Sequence, residues 1–595
     1  MNVTPIHSSG HTLGPAQMQA PQVIRTRRRA ILVLNLVTIA ALAAAMLVLL
    51  SIGGFQPIEW VMMVAYVATL PWLSIGLWNS LIGFWLDRRF GDTAAAQVTP
   101  AIARITGQEP VTSRIAIIMP LRNEDPAASL ERLRGVQIDM ARTPYAAHFD
   151  YHVLSDTDRP EIAAREEAIV AAWQAEMPGA GVFYRRRTEN SGYKAGNVAE
   201  FLHRCGAQYA YFLPLDADSV MGADTVLRLV RIMDASPEIG LLQSLVTGMP
   251  SRTFFTRAFQ FGMRHGMRAY TLGSAWWQAD CGPNWGHNGL IRTAAFRDHC
   301  MLPVLPGKGP LSGYILSHDQ VEAVLIRRAG YEVRVLAEES ESHEENPPSL
   351  ADFVRRELRW CNGNMQYLRL LGLPNLLPVS RIQLYLAIQM YLAASAWMLF
   401  ILLGAAQAAD PTQYAGVPFW FGIGQFAVIM TLNLMPKLMG LAQVLADQAR
   451  AARYGGRARV VIGGLVEIVV SMLTAPIVAF SLTRFSIGLL FGKRVGWDAQ
   501  QRSRERLEWS EAARVFWPQS VVGTVLAVWI WVMAPGAIWI ALPLLTALVF
   551  AVPIAVITTL PGLSRWSVRQ GLFDIPEDRA SAGLDAPAEL RADAA

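Results

Sequence analysis

Residues 30–52 read AILVLNLVTIAALAAAMLVLLSI without one charge, and residues 60–85 are again uncharged. Each run exceeds the roughly 20 residues that a helix needs to cross hydrocarbon, so the chain is expected to open with two membrane-spanning helices. A cleaved signal peptide is the rival for the first run. Its apolar core is longer than the ~7–15 residues usual there, and a second span follows directly. After a long polar middle, apolar runs return at 384–406, 417–444, 460–490, 519–533 and 537–560. Pro476 lies near the centre of the 460–490 run, where its ring and missing N–H favour a break. That run is expected as a helical hairpin or re-entrant pair, for seven or eight crossings in all.

Lys and Arg near helix ends stay on the cytoplasmic side. Arg25, Arg27, Arg28 and Arg29 precede the first run, and Arg88 and Arg89 follow the second. Arg450, Arg453, Arg457 and Arg459 form one later cluster, and Lys493, Arg494, Arg502, Arg504 and Arg506 another. The alternate loops, 51–59, 404–416 and 534–536, carry neither residue type. Both termini and the polar middle are therefore expected in the cytoplasm. Lys437, Glu467 and Arg484 interrupt the apolar runs and would be costly against lipid, so they are expected to face protein, water or a pathway. Snorkelling is the plainer alternative, and it suits Lys437 and Arg484 better than Glu467. Only 17% of the 595 residues are charged, and no basic stripe lies outside the membrane-flanking clusters, which argues against nucleic acid as a partner. Four scattered cysteines, Cys205, Cys281, Cys300 and Cys361, make neither a disulfide scaffold nor a metal knuckle.

In the middle, short β-type runs at 115–119, 151–155, 182–184, 209–215, 240–246 and 331–337 alternate with helical stretches. This alternation predicts a largely parallel sheet covered on both faces, with ligands bound beyond the carboxyl ends of its strands. Pro120, Arg122 and Glu124 follow the first run, and Asp156 and Asp158 the second. Asp216-Ala-Asp218 follows the fourth, presenting two carboxylates suited to a hard cation such as Mg²⁺ or Mn²⁺ held together with ligand phosphates. A turn capping the next helix would explain the same three residues. Arg185-Arg-Arg187 and Lys194-Ala-Gly-Asn197 bring cations to the same edge, where a pyrophosphate could be neutralised. Ser317-His318-Asp319 and Arg355-Arg356-Glu-Leu-Arg359-Trp360 come later, the second near the return to the membrane.

Taken in order, Asp156, Asp216-Ala-Asp218, Asp319 and Arg359-Trp360 resemble the motifs of the processive family-two glycosyltransferases, the group of cellulose and hyaluronan synthases. Leu154-Ser-Asp156, Leu215-Asp-Ala-Asp-Ser-Val-Met-Gly222, Trp285-Gly-His-Asn288, Leu316-Ser-His-Asp319 and Arg359-Trp-Cys-Asn-Gly-Asn364 are similar to one branch, the glucans biosynthesis glucosyltransferase H family of Gram-negative bacteria. The likeness runs from about residue 25 to 560. It implies an α/β GT-A glycosyltransferase domain, Rossmann-like with a mostly parallel sheet, inserted between α-helical transmembrane segments of the bacterial inner membrane. It further implies UDP-glucose as donor, Mg²⁺ or Mn²⁺ as cofactor, and synthesis of the linear β-1,2-glucan backbone of osmoregulated periplasmic glucans. The corresponding divisions are a cytoplasmic tail at 1–29, two transmembrane helices at 30–86, the GT-A domain at 87–380, a transmembrane region at 381–560 and a disordered cytoplasmic tail at 561–595.

Carried over residue by residue, the resemblance implies that Asp319 is the catalytic base. UDP-sugar contacts fall to Pro120, Arg122, Glu124, Asp156, Asp158, Lys194, Asp216, Arg356 and Arg359, metal ligation to Asp216 and Asp218, and acceptor binding to Trp285, His287, Asn288 and Trp360. Two positions depart from the cellulose-type pattern: Arg356 stands where that group has Gln, and His318 where it has an acidic residue. His318 is expected to pack against the nucleotide rather than to modulate the base. Implied partners are the growing β-glucan, membrane lipids, acyl carrier protein and periplasmic glucan-modifying proteins.

The chemistry agrees with these roles. A diphosphate leaves without a protonating acid, so inverting transfer needs one carboxylate base, whereas a glycosidase needs two flanking carboxyl groups. Rival readings are another membrane β-glycan synthase, a lipid-carrier glycosyltransferase, and a non-catalytic transporter with a nucleotide-sensing domain. Residues 492–510 are expected as a gating loop over the donor site, with a basic linker as the alternative. Trp397, Trp420, Phe421, Trp529 and Trp531 are candidates to line an export channel, with the interfacial belt as the alternative, and Trp529 and Trp531 are the more informative pair because they lie inside an apolar run.

Overall fold

The computed structural model describes residues 21–410, 416, 418–494 and 506–584. The two uncharged N-terminal runs lie in helices Pro21–Ser51 and Pro57–Phe90, and the later ones in Pro378–Gln407, Phe419–Leu445, Arg457–Leu490, Trp509–Met533 and a shorter pair. Among the described residues six helices are long and apolar enough to cross a membrane, or seven if the bent pair Pro535–Val549 and Ala551–Ile557 is one span. No hairpin forms at 460–490, because Arg457–Leu490 is one continuous helix with Pro476 inside it. Pro476 and Ile477 are buried against neighbouring helices, and such packing tolerates a proline within a span. The break falls instead near Phe550, where the pair bends by 66°.

The polar middle is a seven-stranded sheet of order β3-β2-β1-β4-β8-β6-β9. Its strands are β1 (Ile115–Leu121), β2 (Phe149–Ser155), β3 (Val182–Arg186), β4 (Tyr211–Pro214), β6 (Ile239–Ser244), β8 (Gly289–Arg292) and β9 (Glu332–Leu336). A second, three-stranded sheet joins β5 (Ser219–Met221), β10 (Ser342–Glu344) and β7 (Thr247–Gly248). Parallel pairing runs from β3 to β4 and between β6 and β9, while β8 is antiparallel to both of its neighbours. Alternate residues of β1 feed two layers. Ile115, Ile117 and Met119 pack with Leu130, Leu133 and Val230 on one face, and Ala116 and Ile118 pack with Val198, Phe201 and Leu325 on the other. Burial on both faces is why the strand is apolar throughout.

Helix Phe254–Gln278 joins this domain to the membrane helices and lies against Pro57–Phe90 at backbone contact. A Cβ on Gly273 would sit 1.8 Å from the Asn79 carbonyl oxygen, so only glycine fits there. The same helix holds the segment 561–584, and residues 585–595 of the expected tail lie outside the described residues. Residues 561–584 are not the expected disordered tail, since they form helices Pro561–Arg569 and Pro576–Leu584. Buried Arg257 pairs with Asp574 at 2.9 Å and Asp578 at 3.4 Å, and buried Arg264 with Glu577 at 2.9 Å and Glu339 at 3.0 Å. The acidic residues here answer two buried guanidiniums.

Candidate active site

The carboxyl ends of β1, β2 and β4 open into a cavity of about 210 Å³. Thirteen of the fifteen expected site residues line it: Pro120, Arg122, Glu124, Asp156, Lys194, Asp216, Asp218, Trp285, His287, Asp319, Arg356, Arg359 and Trp360. Asp158 and Asn288 do not. Asp158 points outward and accepts from the Asn123 side chain at 2.7 Å. Asn288 is fully buried at φ +53°, and its amide donates to Ser342 Oγ at 3.0 Å and the His343 carbonyl at 3.3 Å, so it ties the two sheets together behind the cavity.

Asp156, although it borders the cavity, is committed inside the protein. Arg187 donates from Nε to its Oδ1 and from its terminal nitrogen to its Oδ2, both at 2.7 Å, and Asn197 Nδ2 donates to Oδ1 at 2.8 Å. The arginine run is therefore no pyrophosphate clamp. Arg185 pairs with Glu200 at 3.2 Å and Arg186 donates to the Thr157 carbonyl at 3.0 Å, so carboxylates and carbonyls within reach take up these cations. Lys194 is different. Its ammonium meets the Asp216 carboxylate and donates to the Gly286 carbonyl at 2.9 Å. Burial would lower its pKa, but Asp216 and Asp319 outweigh burial and raise it, so it remains a cation.

Asp319 starts helix Asp319–Arg328 and lies against Gly286, whose φ of +81° already favours glycine. A Cβ there would lie 2.5 Å from Asp319 Oδ1. One glycine thus lets the carboxylate approach the turn whose carbonyl holds Lys194. His318 is not a packing residue alone: its Nδ1 lies 3.1 Å from Asp319 Oδ1 and 2.7 Å from Glu322 Oε1. Burial pushes this imidazole's pKa down, but Glu322 and Asp319 more than offset it and bring it up to about 9. Across the cavity His287 has Nε2 3.2 Å from Glu344 Oε2 and Nδ1 3.1 Å from Ser219 Oγ. Burial lowers its pKa too, and Glu344 with Asp216 raises it to about 9. Arg356 stacks over Trp360 with its guanidinium carbon 4.5 Å from the ring centroid, a contact that glutamine could not make with charge.

Gly286, Glu322 and Glu344 escaped the sequence reading as individual residues. The first was inside a quoted motif and could have been found as a glycine between two polar ring residues. Glu344 acts through a contact distant in sequence, whereas Glu322 lies one helical turn after His318 and could have been found by that spacing. For a divalent cation, Asp216 and Asp218 offer oxygen donors of the right hardness at the end of β4, both on the cavity wall. His287 beside them is held protonated by Glu344, which leaves its ring nitrogens as donors.

The model described as "Glycosyl transferase family 2" matches residues 117–300, and "Glycosyl transferase family group 2" matches 211–433. A protein from Xanthomonas campestris pv. campestris named "Glucans biosynthesis glucosyltransferase H" is 35% identical over 580 residues, covering 93% of this chain and 87% of that relative. One of the same name from Xylella fastidiosa is 35% identical, covering 97% of this chain and 92% of its own length. The chain belongs to the glucans biosynthesis glucosyltransferase H family. Membership makes it a glycosyltransferase of glucan biosynthesis, with a GT-A domain flanked by helices apolar enough to span a membrane. Among solved structures it is similar to a mannosyltransferase from Pyrobaculum calidifontis in complex with GDP-Man and Mn²⁺, with a TM-score of 0.37 and 16% identity over 61% of this chain and 97% of that one. It is also similar to S. aureus TarS, with a TM-score of 0.29 and 12% identity over 56% of this chain and 54% of that one. Within the glucosyltransferase H family the cavity described above is the candidate reaction centre.

Proposed function

We propose that the protein is an inverting glucosyltransferase of the bacterial inner membrane, which moves glucose from UDP-glucose onto a growing β-1,2-glucan. The observation that carries this reading is the junction at Gly286. It joins the candidate base Asp319 to the Lys194–Asp216 pair within one 210 Å³ cavity. In the reaction an acceptor hydroxyl gives its proton to an Asp319 oxygen as its own oxygen bonds to the donor's C1. The bond from C1 to the diphosphate breaks, and UDP leaves with the electron pair. Lys194, Arg359 and Arg356 border the region where that negative charge develops. Asp216 and Asp218 would hold Mg²⁺ or Mn²⁺, which when bound neutralises the departing diphosphate. Trp360 and Trp285 offer ring faces to the acceptor sugar, and Arg122, Glu124 and Pro120 border the nucleotide.

Export of the product is part of the proposal. A second cavity of about 810 Å³ lies among the helices, and Trp285 lines both it and the reaction cavity. Trp397 borders it, but Trp420, Phe421, Trp529 and Trp531 do not. Trp529 donates its indole N–H to the Ala405 carbonyl at 2.7 Å, and Trp420 and Trp531 are 79% and 67% exposed on the outer surface. Most of the expected gating loop, 495–505, lies outside the described residues. Both termini and the catalytic domain are assigned to the cytoplasm from the arginine clusters. Acyl carrier protein, glucan-modifying proteins and membrane lipids are the proposed partners. Purified protein in detergent, given UDP-glucose and Mg²⁺, is expected to release UDP and form β-1,2-linked polymer. A different linkage would move it to another β-glycan synthase, and lipid-linked glucose to a carrier glycosyltransferase. No transfer at all would overturn the reading.

A further inference from the structure

Lys437 and Glu467 reach the wall of the 810 Å³ cavity from different helices, Phe419–Leu445 and Arg457–Leu490. Lys437 lies eight residues before the end of its helix and Glu467 ten after the start of its own. At 1.5 Å per residue, both sit roughly 12–15 Å in from the arginine-rich end of the span. The two side chains are ion-paired, Lys437 Nζ donates to Ser471 Oγ at 2.5 Å, and Ser471 donates to Glu467 Oε1 at 2.6 Å. Snorkelling does not describe Lys437, whose ammonium is turned to a partner within the bundle.

The cluster has hydrogen-bonding capacity left over. An ammonium carries three donors, two of which are engaged here, and 27% of the Lys437 side chain is exposed. Glu467 is 2% exposed, and its Oε2 is buried with no hydrogen-bond partner. Helix Phe254–Gln278 presses on it from below, where a Cβ on Gly262 would lie 2.4 Å from Glu467 Oε1. An isolated ion pair serving only to join two helices gains nothing from a cavity wall, and a buried carboxylate oxygen without a donor is costly. The cavity volume falls within the roughly 300–1,000 Å³ of small-molecule sites. Its surface combines apolar side chains and the rings of Trp285, Trp397 and Tyr270 with this one charged cluster. Ring faces with a few polar groups suit a neutral chain of sugar rings, in which each hydroxyl can both donate and accept.

We infer that Lys437, Glu467 and Ser471 form a carbohydrate-binding station in the membrane region, where hydroxyls of the nascent glucan accept from Lys437 and donate to Glu467. The inference rests on the export reading above, and deepens it by assigning the residues that hold the chain just beyond the reaction cavity. A station there raises the residence of the chain near Trp285, which favours another addition over release.

The test uses the full chain in sealed vesicles with the catalytic domain outward and UDP-glucose outside. Product length and the fraction protected from externally added glucanase are measured for wild type, Lys437→Met, Glu467→Gln and the exchanged pair Lys437→Glu/Glu467→Lys. Loss of the hydrogen bonds is expected to shorten the product and lower its protected fraction by about tenfold in both single variants, with UDP affinity unchanged. A lower melting temperature with wild-type product length and protection in the surviving protein would make the pair purely structural, overturning the inference while leaving export intact. Restoration of stability by the exchanged pair without restored length supports the station. Wild-type glucan that stays wholly digestible removes the export reading and the station together, and that result is read before any variant.

Discussion

A Cβ placed on Gly286 would lie 2.5 Å from Asp319 Oδ1 and 2.6 Å from its Cγ. The candidate base therefore owes its position to the absence of a side chain on a neighbouring turn. Gly286→Ala is expected to displace Asp319 and to strain a backbone at φ +81°. Turnover should fall about a hundredfold or more, while UDP affinity, measured by calorimetry, changes little. Equal losses in both would mean that the turn serves the nucleotide rather than the base.

Asp319→Asn and Asp218→Ala are expected to fail differently. The amide keeps the shape of Asp319 but accepts no proton, so polymer formation drops by about 10²–10⁴ with UDP binding retained. Removing the Asp218 carboxylate should instead weaken UDP binding in Mg²⁺ and leave binding in chelator unchanged. Titrations with and without the cation distinguish the two.

Asp156→Ala is expected to act first on stability. It strips both Asp156 contacts from Arg187, whose side chain is 5% exposed, and leaves that buried guanidinium with Glu200 at 3.7 Å and the Ser191 and Tyr193 carbonyls only. The cost is about 3–5 kcal/mol. A thermal melt of the detergent-solubilised variant measures it, and the double variant Asp156→Ala/Arg187→Met should recover part of the loss.

The His318 cluster gives a pH signature. Its imidazole is raised from 6.5 to about 9 in the folded protein, because Glu322 and Asp319 outweigh burial. A raised pKa means that the proton stabilises the fold, fully below the unfolded value and not at all once pH has passed through about 9. The wild-type melting temperature should therefore fall across that window, and His318→Gln should fall less steeply, the remainder coming from His287, which is raised to about 9 as well. An identical slope in both would assign it to other groups.

What could be read from residues alone followed from period and position. Strand β1 was legible because burial on both faces makes it apolar throughout, and Asp216-Ala-Asp218 because it follows such a strand. β8 was not, since four residues in antiparallel register between β4 and β6 carry no period to detect. The helix at 457–490 was misread because proline cost is local, whereas its acceptance depends on neighbours distant in sequence, such as Phe255 and Phe516, which share a core cluster with Ile477 beside it. Asp156 kept its place at the cavity but not its freedom, because sequence distance hides that Arg187 faces it from the next strand edge. Asn288 went unrecognised as a structural residue for the same reason, its partners lying on β10.

The docking of 561–584 beneath helix Phe254–Gln278 also sets an order on biosynthesis. Arg257 finds Asp574, Asp578 and the Leu572 carbonyl only after more than 300 further residues have been translated and the intervening spans inserted. Until then the helix that joins catalysis to the membrane carries an uncompensated guanidinium, and its seat against the bundle is provisional. A ribosome that stops short leaves a chain with every expected catalytic residue and every long apolar helix, yet without the acidic latch that closes it. Seating of that helix thus waits on a short acidic segment far along the chain, and truncation before residue 574 would leave Arg257 and Arg264 without the carboxylates of Asp574, Glu577 and Asp578.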